Sequence, residues 1–258
     1  MSKVFYYSGF DEDVTENSGQ DYRMPEGYRI IKDRWWERGL CSVLYGAFAF
    51  VGRVYLRVGL HVRFVGRENL LRVPRNKGYF IYANHTQPFG DPMIALVSGR
   101  GRIRRRHRAI AAPANFGLPV LGRLLPYMGV IPTASSAEGL RKMDEAVSWY
   151  CDRAEPVVIF PEAHVWPYYT RIRPFGAAAF HYPAARQLPV FAMTTTYQSR
   201  GAGKKPRATI YIDGPFQPEQ SLSLRERKVR LCEAVRLVME VRAESSTCEH
   251  VRYERVGR

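Results

Sequence analysis

Cysteine is scarce and scattered in this sequence: Cys41, Cys151, Cys232 and Cys248 lie far apart and form no C-x-x-C pair. Neither a zinc cluster of paired thiols nor a disulfide framework is indicated, and the plain reading is reduced thiols in a reducing compartment. Acidic residues are few, 24 against 39 lysines and arginines, giving a net charge of +15 and a pI near 9.9. Such an excess favours polyanionic partners: nucleic acid, acidic phospholipid or a phosphorylated carrier. No RRM, KH, zinc-finger or basic-zipper signature supports the first of these. Residues 1–13 lack an apolar core and turn acidic at once, so nothing there resembles a secretory signal, and the cytosolic face is the expected location. There is no internal repeat or low-complexity tract. Neither a G-x-S-x-G elbow nor an H-E-x-x-H pair occurs.

What is present is a globular chain of 258 residues, 46% hydrophobic and 13% aromatic, enough for one domain with a short extension. Residues 1–30 form a polar, Tyr-rich extension with Asp11, Glu12, Asp13, Glu16, Asp21 and Glu26. It either packs on the basic body or remains a loose terminus. In residues 31–60 the stretch 39–52 is apolar for fourteen residues, short of the about 20 that a bilayer span needs. Trp35, Trp36, Arg38, Arg53 and Arg57 surround it, the composition of an amphipathic helix in the membrane interface. A helix buried against the domain and a re-entrant hairpin are the alternatives.

Residues 61–258 alternate strand and helix. Strands are predicted at 62–65, 79–83, 108–112, 157–160, 190–196 and 208–212, and helices at 91–97, 116–125 (broken), 135–151, 177–186 and 224–243. Ser135 with Glu138, and Ser223 with Glu226, fit capping boxes. Leu224, Leu231, Val235, Val238 and Val241 mark the inner face of the last helix. The alternation argues for an α/β domain, helices packed on a mostly parallel sheet.

The chemistry concentrates at 79–92. An aromatic and β-branched run ends in Asn84-His85, and a Pro/Gly turn delivers Asp91 at the start of a helix. A histidine at the carboxyl end of a strand sits where α/β sheets bind ligands, and a carboxylate holding one ring nitrogen lets the other accept a proton. Asn84-His85 with Asp91 resembles the first motif of the glycerolipid acyltransferases, the lysophosphatidate acyltransferase family, in which the histidine is the general base and the aspartate orients it. The family spaces the two by four residues. Here five intervene, and Gly90 is expected to absorb the extra one in a bulged turn.

Phe160-Pro161-Glu162-Ala163-His164 leaves another strand end and resembles the family's Phe-Pro-Glu-Gly-Thr-Arg motif. The resemblance implies an acceptor-site role for Phe160, Pro161 and Glu162, with Asn84 and His164 beside them. It has no arginine in the motif's place, so Arg171 or Arg173, ahead of Pro174-Phe175, is a candidate phosphate contact; a solvent-exposed role is the alternative. At 129–132 the family's second motif loses its arginine, with Thr133 in that place. Leu188-Pro189-Val190 resembles the fourth motif, in a donor or purely structural role. The dense run Arg102, Arg104, Arg105, Arg106, His107 and Arg108 is either a solvated loop or a site for lipid headgroups, coenzyme A phosphates or an acidic carrier.

The resemblance covers about residues 60–215 and implies acyl transfer from acyl-CoA or acyl-ACP to the hydroxyl of a lysophospholipid, most simply 1-acyl-sn-glycerol 3-phosphate. It implies His85 and Asp91 as catalytic residues, no bound cofactor or metal, and a peripheral or monotopic position on the membrane phospholipid surface. The rival readings are a metal-dependent hydrolase using His85, Asp91, Glu162 and His164, and a non-catalytic basic module binding nucleic acid or lipid.

Overall fold

The computed structural model describes residues 3–14, 22–25 and 27–256. Glu16, Asp21 and Glu26 lie outside them. The elements are β1 (Lys3–Tyr7), α1 (Trp35–Val58), β2 (Arg63–Val65), β3 (Phe80–Ala83), α2 (Gly90–Ser98), β4 (Arg108–Ala111), α3 (Leu121–Leu124), β5 (Val130–Pro132), α4 (Ala137–Asp152), β6 (Val157–Ile159), α5 (His181–Arg186), β7 (Val190–Gln198), β8 (Arg207–Phe216), α6 (Leu224–Ala243) and β9 (Val251–Arg255).

Seven strands form one sheet in the order β2-β8-β7-β3-β6-β4-β5, parallel throughout except at the β7–β8 pair. The mixed α/β architecture is therefore the expected one, with helices on both faces. Strand alternation divides the core. Phe80 and Tyr82 point to the face covered by α4, α5 and α6, with Val147, Phe180, Leu231 and Val235. Tyr79, Ile81 and Ala83 point to the other, covered by α1 and α2 through Leu56, Ile94 and Val97. Near-continuous apolar strands such as β3 are what burial on both faces demands.

α1 is one continuous helix, which removes the hairpin reading, and it is ten residues longer than the apolar run because Glu37 closes a turn on the Arg34 backbone at its start. Its two faces differ. Cys41, Tyr45, Ala49, Gly52 and Leu56 pack inward, and a Cβ at Gly52 would approach Met93 Sδ to 2.9 Å. Trp36, Leu40, Val43, Phe50, Val54 and Val58, at helical spacing, form an exposed apolar stripe.

Two details depart from the sequence reading, and a third decides between its alternatives. Ser136, not Ser135, caps α4, its hydroxyl accepting from Gly139 N at 3.1 Å, while Glu138 pairs with Lys142 at 2.6 Å. On α6, Leu231, Cys232, Val235 and Met239 are buried, but Leu224 and Val241 are exposed. Leu224 opens the helix beyond the core, and Val241 is rotated about 80° from Leu231 at 3.6 residues per turn. The terminal extension is packed: β1 runs parallel to β9, Lys3 opposite Val251 through Tyr7 opposite Arg255.

Candidate active site

Tyr82 lies opposite Ile159, so β3 and β6 release their chains side by side at one end of the sheet. The two predicted motifs meet there. His85 Nδ1 lies 2.8 Å from Asp91 Oδ2, an oxygen that also accepts from the Thr86 and Gln87 backbone N–H groups at 2.7 and 2.8 Å. Those two backbone groups can only donate. The oxygen is therefore an acceptor, Nδ1 carries the ring hydrogen, and the neutral imidazole keeps its lone pair on Nε2. Asp91 is 2% exposed and the His85 side chain 15%, so the orienting group is shielded and the imidazole reaches the surface. The ring stacks on Phe160 with centroids 4.5 Å apart, which gives this residue a supporting role under the imidazole.

The one extra residue is accommodated differently from the expected bulge. Gly90 opens α2 with no left-handed angle, and its lack of a side chain matters for space: a Cβ would sit 2.7 Å from both Gln87 Cβ and Leu60 Cδ1. The preceding turn is fastened from β7. Tyr197 Oη meets Thr86 Oγ1 at 2.8 Å and accepts from Gln87 Nε2 at 2.9 Å. Burial lifts this phenol far above its ordinary range, so it stays neutral.

The second loop is locked onto the first. Glu162 Oε2 accepts from His85 N at 3.1 Å and from the Arg173 guanidinium at 3.0 Å, and Oε1 accepts from Arg173 N at 3.0 Å. Burial pushes the Glu162 carboxyl up, while Arg173 and the backbone N–H donors oppose that. Trp166 N and Tyr168 N donate to the carbonyls of His85 and Thr86 at 3.0 and 2.9 Å.

Several expected roles change with this geometry. Arg173 is 1% exposed and also donates to the carbonyls of Phe10 and His164. Neither the expected phosphate contact nor the solvated alternative describes it: the guanidinium is a buried clamp, because an unpaired Glu162 carboxylate at that depth would be costly. Arg171 is exposed and makes no side-chain hydrogen bond among the described residues. Asn84 joins strands, its side chain exchanging two hydrogen bonds with the Thr195 backbone at 2.8 and 3.0 Å. Pro189 O accepts from Phe80 N at 2.9 Å, the structural reading of that motif. His85, Asp91, Glu162 and His164 do not form a ligand set: among the described residues no three His, Cys, Asp or Glu side chains converge so as to hold a metal ion.

Packing of the N-terminal extension was one of the two sequence readings, but its place against the Glu162 loop, and that of the C-terminal strand, was not foreseen. His164 Nδ1 lies 2.8 Å from Asp13 Oδ1, and Trp166 Nε1 donates to Glu12 O at 3.0 Å. The Trp166 indole stacks on Tyr253 of β9 at 5.1 Å and meets Tyr7 edge-on at 4.7 Å. Both ends of the chain thus brace the Glu162 loop. The acidity of the extension against a basic body was the one signal of this.

No curated protein matches the sequence. Among solved structures, the 1-acyl-sn-glycerophosphate (LPA) acyltransferase PlsC from Thermotoga maritima is similar at a TM-score of 0.58 and 16% identity, covering 81% of this chain and 83% of that one. At that identity the likeness establishes the fold. The acyltransferase family pattern matches residues 61–196, more than half of the sequence and the whole of both motif loops. The chain belongs to the acyltransferase family.

Proposed function

We propose that this acyltransferase moves a fatty acyl group from acyl-CoA or acyl-ACP to the hydroxyl of a lysophospholipid, most simply 1-acyl-sn-glycerol 3-phosphate, in phospholipid synthesis. The observation that carries the reading is the His85–Asp91 contact at 2.8 Å at the carboxyl end of β3. Nε2 removes the acceptor proton as the hydroxyl oxygen attacks the thioester carbonyl. The tetrahedral oxyanion then collapses, the C–S bond breaks, and the imidazolium returns its proton to the departing thiolate. The thioester is already activated, so no nucleophilic serine or cysteine is required. General-base assistance of this kind supplies about 10²–10⁴-fold. Held in one tautomer, the ring does not have to be reorganised for each turnover.

The acceptor is presented by a membrane surface in this reading. The exposed stripe of α1 suits the acyl boundary of a bilayer, and Phe89 and Val120, 72% and 74% exposed, extend the apolar surface near the start of α2 and α3. By length and composition α1 is also apolar enough to cross a bilayer, but its packing against α2 favours a helix lying along the interface. Four free cysteines suit the cytoplasmic face. Arg171 is an exposed cation that follows the Glu162 loop, ahead of Arg173, and is our candidate for the acceptor phosphate. The test offers purified protein one labelled acyl thioester with a panel of lyso-lipids, amines and water, and identifies products by mass spectrometry. A lysophosphatidate ester is expected; free fatty acid as the sole product contradicts the proposal.

A further inference from the structure

The loop from α2 to β4 lies at the opposite end of α2 from Asp91, about 13 Å away at 1.5 Å per helical residue. It is held from beneath by two arginines acting on carbonyls. Arg67 donates to Ser98 and Val97 at 2.9 Å each and to Arg100 O. Arg105 donates to Lys77, Ala154 and Val73 at 2.6, 3.0 and 3.3 Å and to Pro74 O. Arg104 is held at φ +53°, a conformation rare for a side-chain-bearing residue and kept only where its surroundings enforce it. The outcome is a cavity of about 410 Å³ lined by Arg53, Arg100, Gly101, Arg104, Arg105 and Arg106.

Among the described residues no acidic side chain lines this cavity. The neighbouring one, about 420 Å³, contains Asp33 and Glu155 among its cations, and there Arg108 pairs with Glu155 at 2.5 Å. Guanidinium groups remain charged at any physiological pH; with Arg105 already engaged by backbone carbonyls, Arg53, Arg100, Arg104 and Arg106 are left around one concavity and repel one another until an anion enters. Arg106 is fixed by Ser42 Oγ at 2.8 Å, and Ser42 and Arg53 fall on the border between the packed face of α1 and its exposed apolar stripe. A headgroup in the cavity would therefore leave its acyl chains beside that stripe. A free phosphate has no use for it.

We propose that the arginine cavity between α1 and the 99–106 loop binds the phosphate headgroup of an anionic phospholipid that is not the acceptor, holding the enzyme on acidic membrane. The proposal rests on the membrane-surface reading and not on the acyl-transfer chemistry. The test measures binding of the full chain to phosphatidylcholine vesicles with and without phosphatidylglycerol, in the absence of thioester. Arg100→Gln with Arg104→Gln, and separately Arg53→Gln with Arg104→Gln, should each weaken binding to the anionic vesicles by about 30-fold. Arg225→Gln with Arg230→Gln, an equal charge loss on exposed α6 positions, should change it by less than about 3-fold. His85→Ala should bind normally, which separates failure here from failure of the catalytic reading. Equal losses in all three double variants would overturn the site. So would normal vesicle binding by the cavity variants together with a raised KM for acyl-CoA in detergent, because the cavity would then serve the donor.

Discussion

The two loops of the site are held in opposite ways. The His85–Asp91 contact closes on itself: ring, two backbone N–H groups and carboxylate all meet within residues 85–91, and Tyr197, Phe160 and the Glu162 loop fasten that unit from outside. The Glu162 loop is assembled from remote pieces, with Arg173, Phe10, Asp13 and Tyr253 all bearing on it. The His85–Asp91 pair is thus built locally, and the placement of the neighbouring loop depends on the ends of the chain.

Short of removing the base itself, Asp91→Asn should have the largest effect on rate. It keeps an acceptor oxygen but weakens the hold on the ring and on two backbone donors, lowering kcat by about 10²-fold in steady-state assays. Next, Arg173→Met should leave Glu162 buried and unpaired, costing about 3–5 kcal/mol in denaturant unfolding. The sign of its pH dependence follows from burial, which raises the folded-state pKa of Glu162 above that of the unfolded chain. The folded variant then binds the extra proton, so its defect should shrink as pH falls toward the ordinary glutamate range of about 4.3 and grow as pH rises. A defect that deepens in acid would contradict this. Trp166→Ala, which removes the aromatic brace, should cost about 3–5 kcal/mol with a smaller loss of kcat than Asp91→Asn. Smallest is Asp13→Asn: the pair with His164 is partly exposed, so stability should move by about 0–1 kcal/mol. A rate loss from Asp13→Asn as large as that from Asp91→Asn would erase the contrast between the loops.

The same contrast explains what the sequence made legible. Strand runs, the Ser223–Glu226 cap and the His85–Asp91 pair depend on neighbours within a turn or two, so local pattern reveals them. Glu162 was found because its strand end resembles the family's Phe-Pro-Glu motif. The burial of Arg173 was not, because a lone arginine reads as solvated until its carboxylate partner and the Phe10 carbonyl are brought over it. β1 and β9 pair across nearly the whole chain, beyond the reach of periodicity. Asn84 carries amide chemistry that suits a ligand and a β7 backbone equally, and only the adjacency of β3 and β7 decides between them.

The most direct measurement is turnover of a labelled acyl thioester with lysophosphatidate by purified His85→Ala, alongside its unfolding curve. A wild-type unfolding midpoint with ester formation reduced by about 10²–10⁴-fold or more is the predicted result. Undiminished ester formation by the folded variant would contradict the assignment of His85 as the base.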